Sequence, residues 1–243
     1  MTALFLHGIA PGDTPAPAAA PQHLRIEVDD IALIATSAEG AALNDQKEPS
    51  VDTVLAHHRL LSAYALETDV LPVRFGTVFS SASGMLAGVA TEAGLYRRRI
   101  ARLRGHIEYA LAVVRTDGAD ISSDHAARRA DEDGRGFLAR KRAARDGLRS
   151  LSTRRADFAR AVPDGIAPVA ADMRAVTTQR KDALASYAIL VPREGLDAFL
   201  QVAEALAERA GTLGLGLSLR GPGPCYSFAD PDDETSCPVR HHG

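Results

Sequence analysis

A chain of 243 residues, 46% apolar and 24% charged, is long enough for one large domain or two modest ones and has the makeup of an ordinary soluble globular protein. Its net charge of -3 excludes a protein that grips nucleic acid with its whole surface, leaving only a local basic patch open. Two cysteines, Cys225 and Cys237, in so long a chain do not make a secreted disulfide scaffold and read as reduced thiols.

Residues 2–9 (TALFLHGI) read as a buried first strand, and the Ala/Pro/Gly stretch 11–21 as a loop. Residues 23–28 alternate Leu24, Ile26 and Val28 against His23, Arg25 and Glu27, a half-buried strand. Asp29-Asp30 signals a turn into a third strand, 31–36, so a hairpin is expected. Ser50 is placed to cap a helix running to Glu67, with Val51, Val54, Leu55, His58, Leu61 and Ala65 predicted on its buried face. Residues 70–79 (VLPVRFGTVF) follow as an apolar strand with one arginine, Arg74, and one glycine, Gly76. Ser83 opens a second helix, with Met85, Leu86, Val89, Tyr96, Ile100 and Leu103 inward and Gly94 weakening its middle. These elements predict an antiparallel-rich α+β sheet with helices on one face.

Gly105 marks a boundary, after which 106–115 reads as a new strand and the Asp-rich 117–133 as a loop. Residues 134–162 carry nine Lys or Arg against two Asp. Phe137, Lys141, Ala144, Leu148, Leu151, Arg155, Phe158 and Val162 form a heptad seam, expected to pack as a helical arm. Pro163 is expected to kink that helix, which resumes to Met173 in this reading. A buried strand (183–191), a helix (196–210) capped by Gly211 and a last strand (213–219) complete a second α+β unit. The acidic segment 229–243 reads as a flexible tail. The expected domains are 1–105 and 106–228.

There is no phosphate loop, nucleophile elbow, dinucleotide fingerprint or zinc-binding His-Glu-x-x-His helix. His57 and His58 are adjacent and must face different sides of their helix, one half-buried and one solvated. His241-His242 lies in the tail, and neither cysteine has the company that zinc requires. Arg74 inside an apolar strand either lies on the solvent face or is buried against an acid, with Glu108, Glu67 or Asp69 as candidates; a structural pair is the main expectation and recognition of a partner protein the other. The basic residues from Arg135 to Arg160 read as a solvated surface or a docking face for an acidic protein. No catalytic residue, metal or cofactor is expected.

Several stretches together carry a resemblance. Residues 71–77 (LPVRFGT) look like the signature of the gas-vesicle protein F/L family (GvpF/GvpL). Residues 4–9 (LFLHGI) resemble its opening strand, 103–108 (LRGHIE) its L-x-G-x-x-E element, 136–140 (GFLAR) the start of its long helix, and 221–228 (GPGPCYSF) its closing stretch. Gly223 stands where the family often has Trp and Cys225 where it often has Pro, so a contact of that indole is expected to be missing. The resemblance implies two α+β domains, the first ferredoxin-like and the second with a long basic helix (134–173). It implies an accessory protein for gas vesicles, the hollow shells that give cells buoyancy, binding the shell subunit and other assembly proteins. Arg74, Phe75, Gly76, Glu108, Tyr226 and Phe228 are the motif residues it marks for partner binding.

The first basic residue is Arg25, so no secretion signal is expected, and the charge-free run 75–91 is too short and polar to span a bilayer. A cytoplasmic protein associated with vesicles is expected, with no membrane or nucleic-acid partner and with self-association open. The alternatives are a small-ligand-sensing α+β module and a nucleic-acid binder using the basic helix.

Overall fold

A computed structural model describes residues 2–38, 50–116 and 134–230. The loop 117–133, the tail beyond Asp230, Cys237 and His241-His242 lie outside the described residues. Within them are two antiparallel sheets and four helices, the α+β class expected. The first unit is β1 (Leu4–Pro11), β2 (Leu24–Val28), β3 (Ile31–Ser37), α1 (Val51–Glu67), β4 (Leu71–Pro72), β5 (Val78–Phe79) and α2 (Ala82–Leu103). The second is β6 (His106–Arg115), α3 (Gly134–Ile166), β7 (Asp172–Ala175), β8 (Ala183–Pro192), α4 (Leu196–Gly211) and β9 (Leu215–Gly223), closed by a 3-10 turn at Tyr226–Phe228.

The sheets share one strand order. The first runs β2-β3-β1-β4, with β5 also paired to β1, and the second runs β7-β8-β6-β9. In each, the first strand of the unit lies between the third and the fourth. In the second sheet a helix links first to second strand; in the first sheet residues 12–23 occupy that place. The hairpin turn at Asp29-Asp30 forms as expected, with Asp29 at φ 54. Arg97 of α2 donates to Asp30 at 2.7 Å and to Asp29 at 3.3 Å, holding the turn against that helix.

The expectation of helices on one face of the first sheet is corrected. Leu4, Leu6, Ile9, Leu33 and Leu71 pack with Met85, Val89, Ile100 and Leu103 of α2. Ala10 and Ile34 pack with Leu60, Leu61 and Tyr64 of α1. Alternate residues of one strand point to opposite faces, so the two helices cover opposite sides and β1 is buried along its whole length. The core with α2 also takes in Ala188 and Leu190 of β8, Cys225 and Phe228, so the two units share apolar packing. The other face of the second sheet packs on α3 and α4 through Tyr109, Leu111, Val113, Ile189, Phe158, Val162 and Phe199.

The motif stretch is not one strand. Gly8 pairs with Pro72 and Ile9 with Leu71, while Leu4 pairs with Phe79 and Phe5 with Val78. Three more residues stand on the motif side than on β1, so the chain arches outward between two short strand pieces. Arg74 to Thr77 make the arch: the Thr77 N–H and hydroxyl both donate to the Arg74 carbonyl, at 3.3 and 2.7 Å. Gly76 stands third in this turn at φ 89, the left-handed position of a type II turn that favours glycine.

Three helix expectations shift. Ser81, not Ser83, caps α2, accepting from the Gly84 N–H at 3.1 Å. On α1 the buried side is His57, Leu60, Leu61, Ala63, Tyr64 and Ala65, whereas Val51, Val54, Leu55 and His58 are exposed. Two apolar stripes run along this helix, and the sheet takes the one with the larger Tyr64 and the Leu pair. Helix α3 ends at Ile166, short of Met173, which lies in the unforeseen strand β7. Pro163 is accommodated inside α3: it lacks the N–H that would bond the Ala159 carbonyl, and the Tyr187 hydroxyl donates to that oxygen instead, at 3.2 Å.

Two glycines give opposite outcomes. Gly76→Ala places a side chain at positive φ and should cost roughly 1–2 kcal/mol. Gly94→Ala, at an exposed site inside α2, should gain about 0.5–1 kcal/mol. Thermal or urea unfolding of both variants measures this.

Candidate functional site

A cleft of about 600 Å³ lies where α1, the motif arch, α2 and the closing segment meet. Val54, His57 and His58 come from α1, Leu71 to Phe75 from the motif, Tyr96 and Arg99 from α2, and Tyr226, Ala229 and Asp230 from the chain's close. Ser50 fixes the start of α1 by accepting from the Thr53 N–H at 3.2 Å, as its sequence position predicts.

The wall beneath α1 is aromatic. The Phe75 ring stands edge-on to Phe5 at 5.3 Å and to His57 at 5.2 Å. His7, on the same face of β1 as Phe5, meets His57 with Nδ1 to Nδ1 at 2.9 Å. One imidazole must donate and the other accept, so the bond needs at least one neutral ring. The other ring nitrogen of His7 lies 2.9 Å from the Thr36 hydroxyl. Burial, then the neighbouring His57 and His23, pulls the pKa of His7 down to about 4. Burial, then His58, does the same for His57. The sequence signs of this pair are the adjacent His57-His58, of which one is expected to turn inward, and a histidine inside the apolar run LFLHGI.

The acidic partner expected for Arg74 is corrected, and the solvent-facing alternative holds. At the apex of the arch it is exposed and makes no ion pair with any described residue. The expected partners are engaged elsewhere: Glu108 bonds Ser227, and Asp69 accepts from the Gly105 N–H at 2.8 Å. Once the strand breaks, the guanidinium reaches water and needs no buried acid.

Glu108, Tyr226 and Phe228 come together in the closing segment. Glu108 accepts from the Ser227 N–H and hydroxyl, both at 2.8 Å. Burial raises the Glu108 pKa, and the two Ser227 bonds and Arg174 oppose the rise. Arg174, buried in β7, donates to the Ser227 and Asp230 carbonyls at 2.6 and 3.3 Å and lies over the Phe228 ring. Arg102 donates to the Phe228 carbonyl, and Arg99 to the Asp230 carboxylate at 2.7 Å. Phe228 is fully buried, while Tyr226 faces the cleft with its hydroxyl 3.4 Å from His58 Nδ1. Gly221, at φ 144, lets the chain pass so close to Tyr109 that a Cβ there would sit 2.6 Å from its ring. Arg174 leaves no sign in the sequence, because it sits in a strand with too few apolar neighbours to be read as one.

Gly223 and Cys225 bear on the same segment. A Cβ at Gly223 meets nothing within 4 Å, so the site has room for a larger side chain. Burial, then Glu108, pushes the buried Cys225 thiol up to about 12, far from a thiolate at neutral pH. Among the described residues no three His, Cys, Asp or Glu side chains group as metal ligands. The cleft therefore offers an aromatic and aliphatic wall with Arg74, His58 and the Arg99–Asp230 pair at its rim, a surface for an apolar group with a polar edge.

The imidazole pair sets a pH dependence. Both pKa values fall on folding, so the unfolded chain takes protons first; stability is full above the ordinary histidine value of 6.5 and is lost as pH falls toward 4. Each imidazole contributes at most about 3 kcal/mol to this loss, at ~1.4 kcal/mol per unit. Imidazole NMR titration should place both midpoints near 4. Midpoints at 6.5 would contradict the buried neutral pair.

No curated protein matches the sequence. Crystal structures of gas vesicle proteins are among those that share the fold. Gas vesicle protein GvpF from an Anabaena species has a TM-score of 0.70 at 18% identity, covering 95% of this chain and 97% of that one. Gas vesicle protein GvpF from Microcystis aeruginosa has a TM-score of 0.66 at 18% identity, covering 95% of this chain and all of that one. Residues 3–230 match the family described as gas vesicle synthesis protein GvpL/GvpF. With nearly its whole length matched, the chain belongs to the GvpL/GvpF family of gas vesicle proteins.

Proposed function

We propose that this chain is a gas vesicle assembly protein that binds the hydrophobic shell subunit through its N-terminal half, as chaperone, nucleation factor or minor wall component. It acts by binding, without catalysis, in the cytoplasm and on the vesicle. In this reading the two sheets are two ferredoxin-like domains, the first lacking a crossover helix, and the arm α3 meets other assembly proteins. Among the described residues no helix is long and apolar enough to cross a membrane.

The observation that carries the proposal is apolar surface that no described residue covers. Val51, Val54 and Leu55 of α1 have the helical spacing of a buried stripe, yet they are 73%, 41% and 41% exposed. They continue into the cleft wall of Val54, Phe75 and Tyr226. A shell that holds gas must present apolar surface inward, so its free subunit aggregates unless another apolar surface covers it. A second reading, sensing of a small metabolite, is favoured by the cleft's volume, which lies in the range of ligand pockets.

Purified chain should retain the purified shell subunit at micromolar concentration. Val54→Asp, at an exposed site that folding does not need, should weaken retention at least ~10-fold, equivalent to about 1.4 kcal/mol. No retention by folded wild-type chain would contradict the proposal. Thermal stabilisation by a metabolite, lost in Phe75→Ala, would favour the second reading instead.

A further inference from the structure

Helix α3 outlasts the body it packs on. Phe158 and Val162 are buried against the second sheet and α4. Gly165 lies beside Leu206, whereas Arg155 donates to the Leu213 carbonyl at 2.7 Å, so the helices run antiparallel and α4 ends level with Arg155. Residues 134–154 continue past that end, roughly 30 Å at ~1.5 Å per residue. Every side chain from Phe137 to Ser150 is exposed.

The overhang keeps the interface pattern. Leu151, Ala144 and Phe137 repeat Phe158 at seven-residue steps, and Arg155, Leu148 and Lys141 repeat Val162 in the same way. Phe137 and Leu148 are 42% and 46% exposed, so the seam buried beneath Phe158 runs on without a cover among the described residues. Drift of about 20° per heptad turns the seam only modestly over this length, the twist that a left-handed pair of helices follows. The flanks are basic: residues 134–162 hold nine Lys or Arg against two Asp. A second copy would set like charges side by side, which disfavours self-pairing.

We infer that the overhang is a docking rail for an amphipathic helix of another protein, apolar along one stripe and acidic on both flanks, lying where α4 would lie if it were longer. The stem of Lys141 covers the apolar stripe while its ammonium reaches an acid of the incoming helix. This deepens the reading of α3 as the arm that meets other assembly proteins. Its probe is synthetic, so it fails separately from the shell-subunit proposal.

The test uses the full chain and a synthetic helix of about four heptads, with Leu at the seam and Glu on the flanks. A twin with Lys in place of Glu, anionic phospholipid vesicles and duplex DNA serve as rivals. The Glu helix should bind at micromolar concentration, at least ~10-fold tighter than the Lys twin, and weaken as salt rises. Leu148→Ser with Phe137→Ser should abolish binding while circular dichroism and Tm stay unchanged. Equal binding of the two helices would overturn the proposal, and so would preference for DNA or vesicles. So would a dimer through α3 in solution, which assigns the seam to a second copy. Binding only after Asp131, Glu132 and Asp133 are neutralised would give the seam to this chain's own residues and would likewise overturn it.

Discussion

The closing segment, Cys225 to Asp230, is the constraint on which the arrangement of the two sheets depends. Phe228 fills the core shared by β1, β3, α2 and β8, and polar groups from both units converge on the segment around it, on its backbone and on the Ser227 and Asp230 side chains. Glu108 and Arg174 come from the second sheet, Arg99 and Arg102 from α2 of the first. Each buried polar group here would be costly if left unbonded, so the contacts are interdependent. Glu108 stays in this site because Ser227 supplies two donors and Arg174 a compensating charge.

The same anchoring builds the cleft. With Ser227 and Phe228 held, Tyr226 is directed to the side and meets His58 across the mouth. The opposite wall is the motif arch, whose Phe75 rests on the His7–His57 pair. Arg193 adds a further tie, donating to the Ala65 and Thr68 carbonyls at the end of α1, so the helix that carries His57 and His58 is held by the second unit. The apolar wall of the cleft is therefore a product of both halves.

The hairpin, the Ser50 cap, β6, β8 and the α4 face of Phe199, Ala203 and Leu206 were legible because local pattern and tertiary burial agree there. They disagree at three places. Residues 70–79 are rich in strand formers, and only Gly76 hinted that the middle would arch away. Helix α1 has two apolar stripes, and sequence spacing cannot say which one the sheet takes. Strand β7 (DMRA) has one buried apolar residue and a buried arginine, a composition that looks solvated until Phe228 and two carbonyls are seen around the guanidinium. Glu108 and the Tyr226–Phe228 turn are far apart in sequence, as are Phe75 and Tyr226 of the cleft, and their placement depends on pairings across both sheets.

Hydrogen exchange on wild-type chain and on Phe228→Leu tests the central claim most directly. If the closing segment holds the units together, amides of β1, β3, β6 and β8 should lose protection together and to a similar extent. Loss confined to residues 225–230, with both sheets as protected as before, would contradict the account.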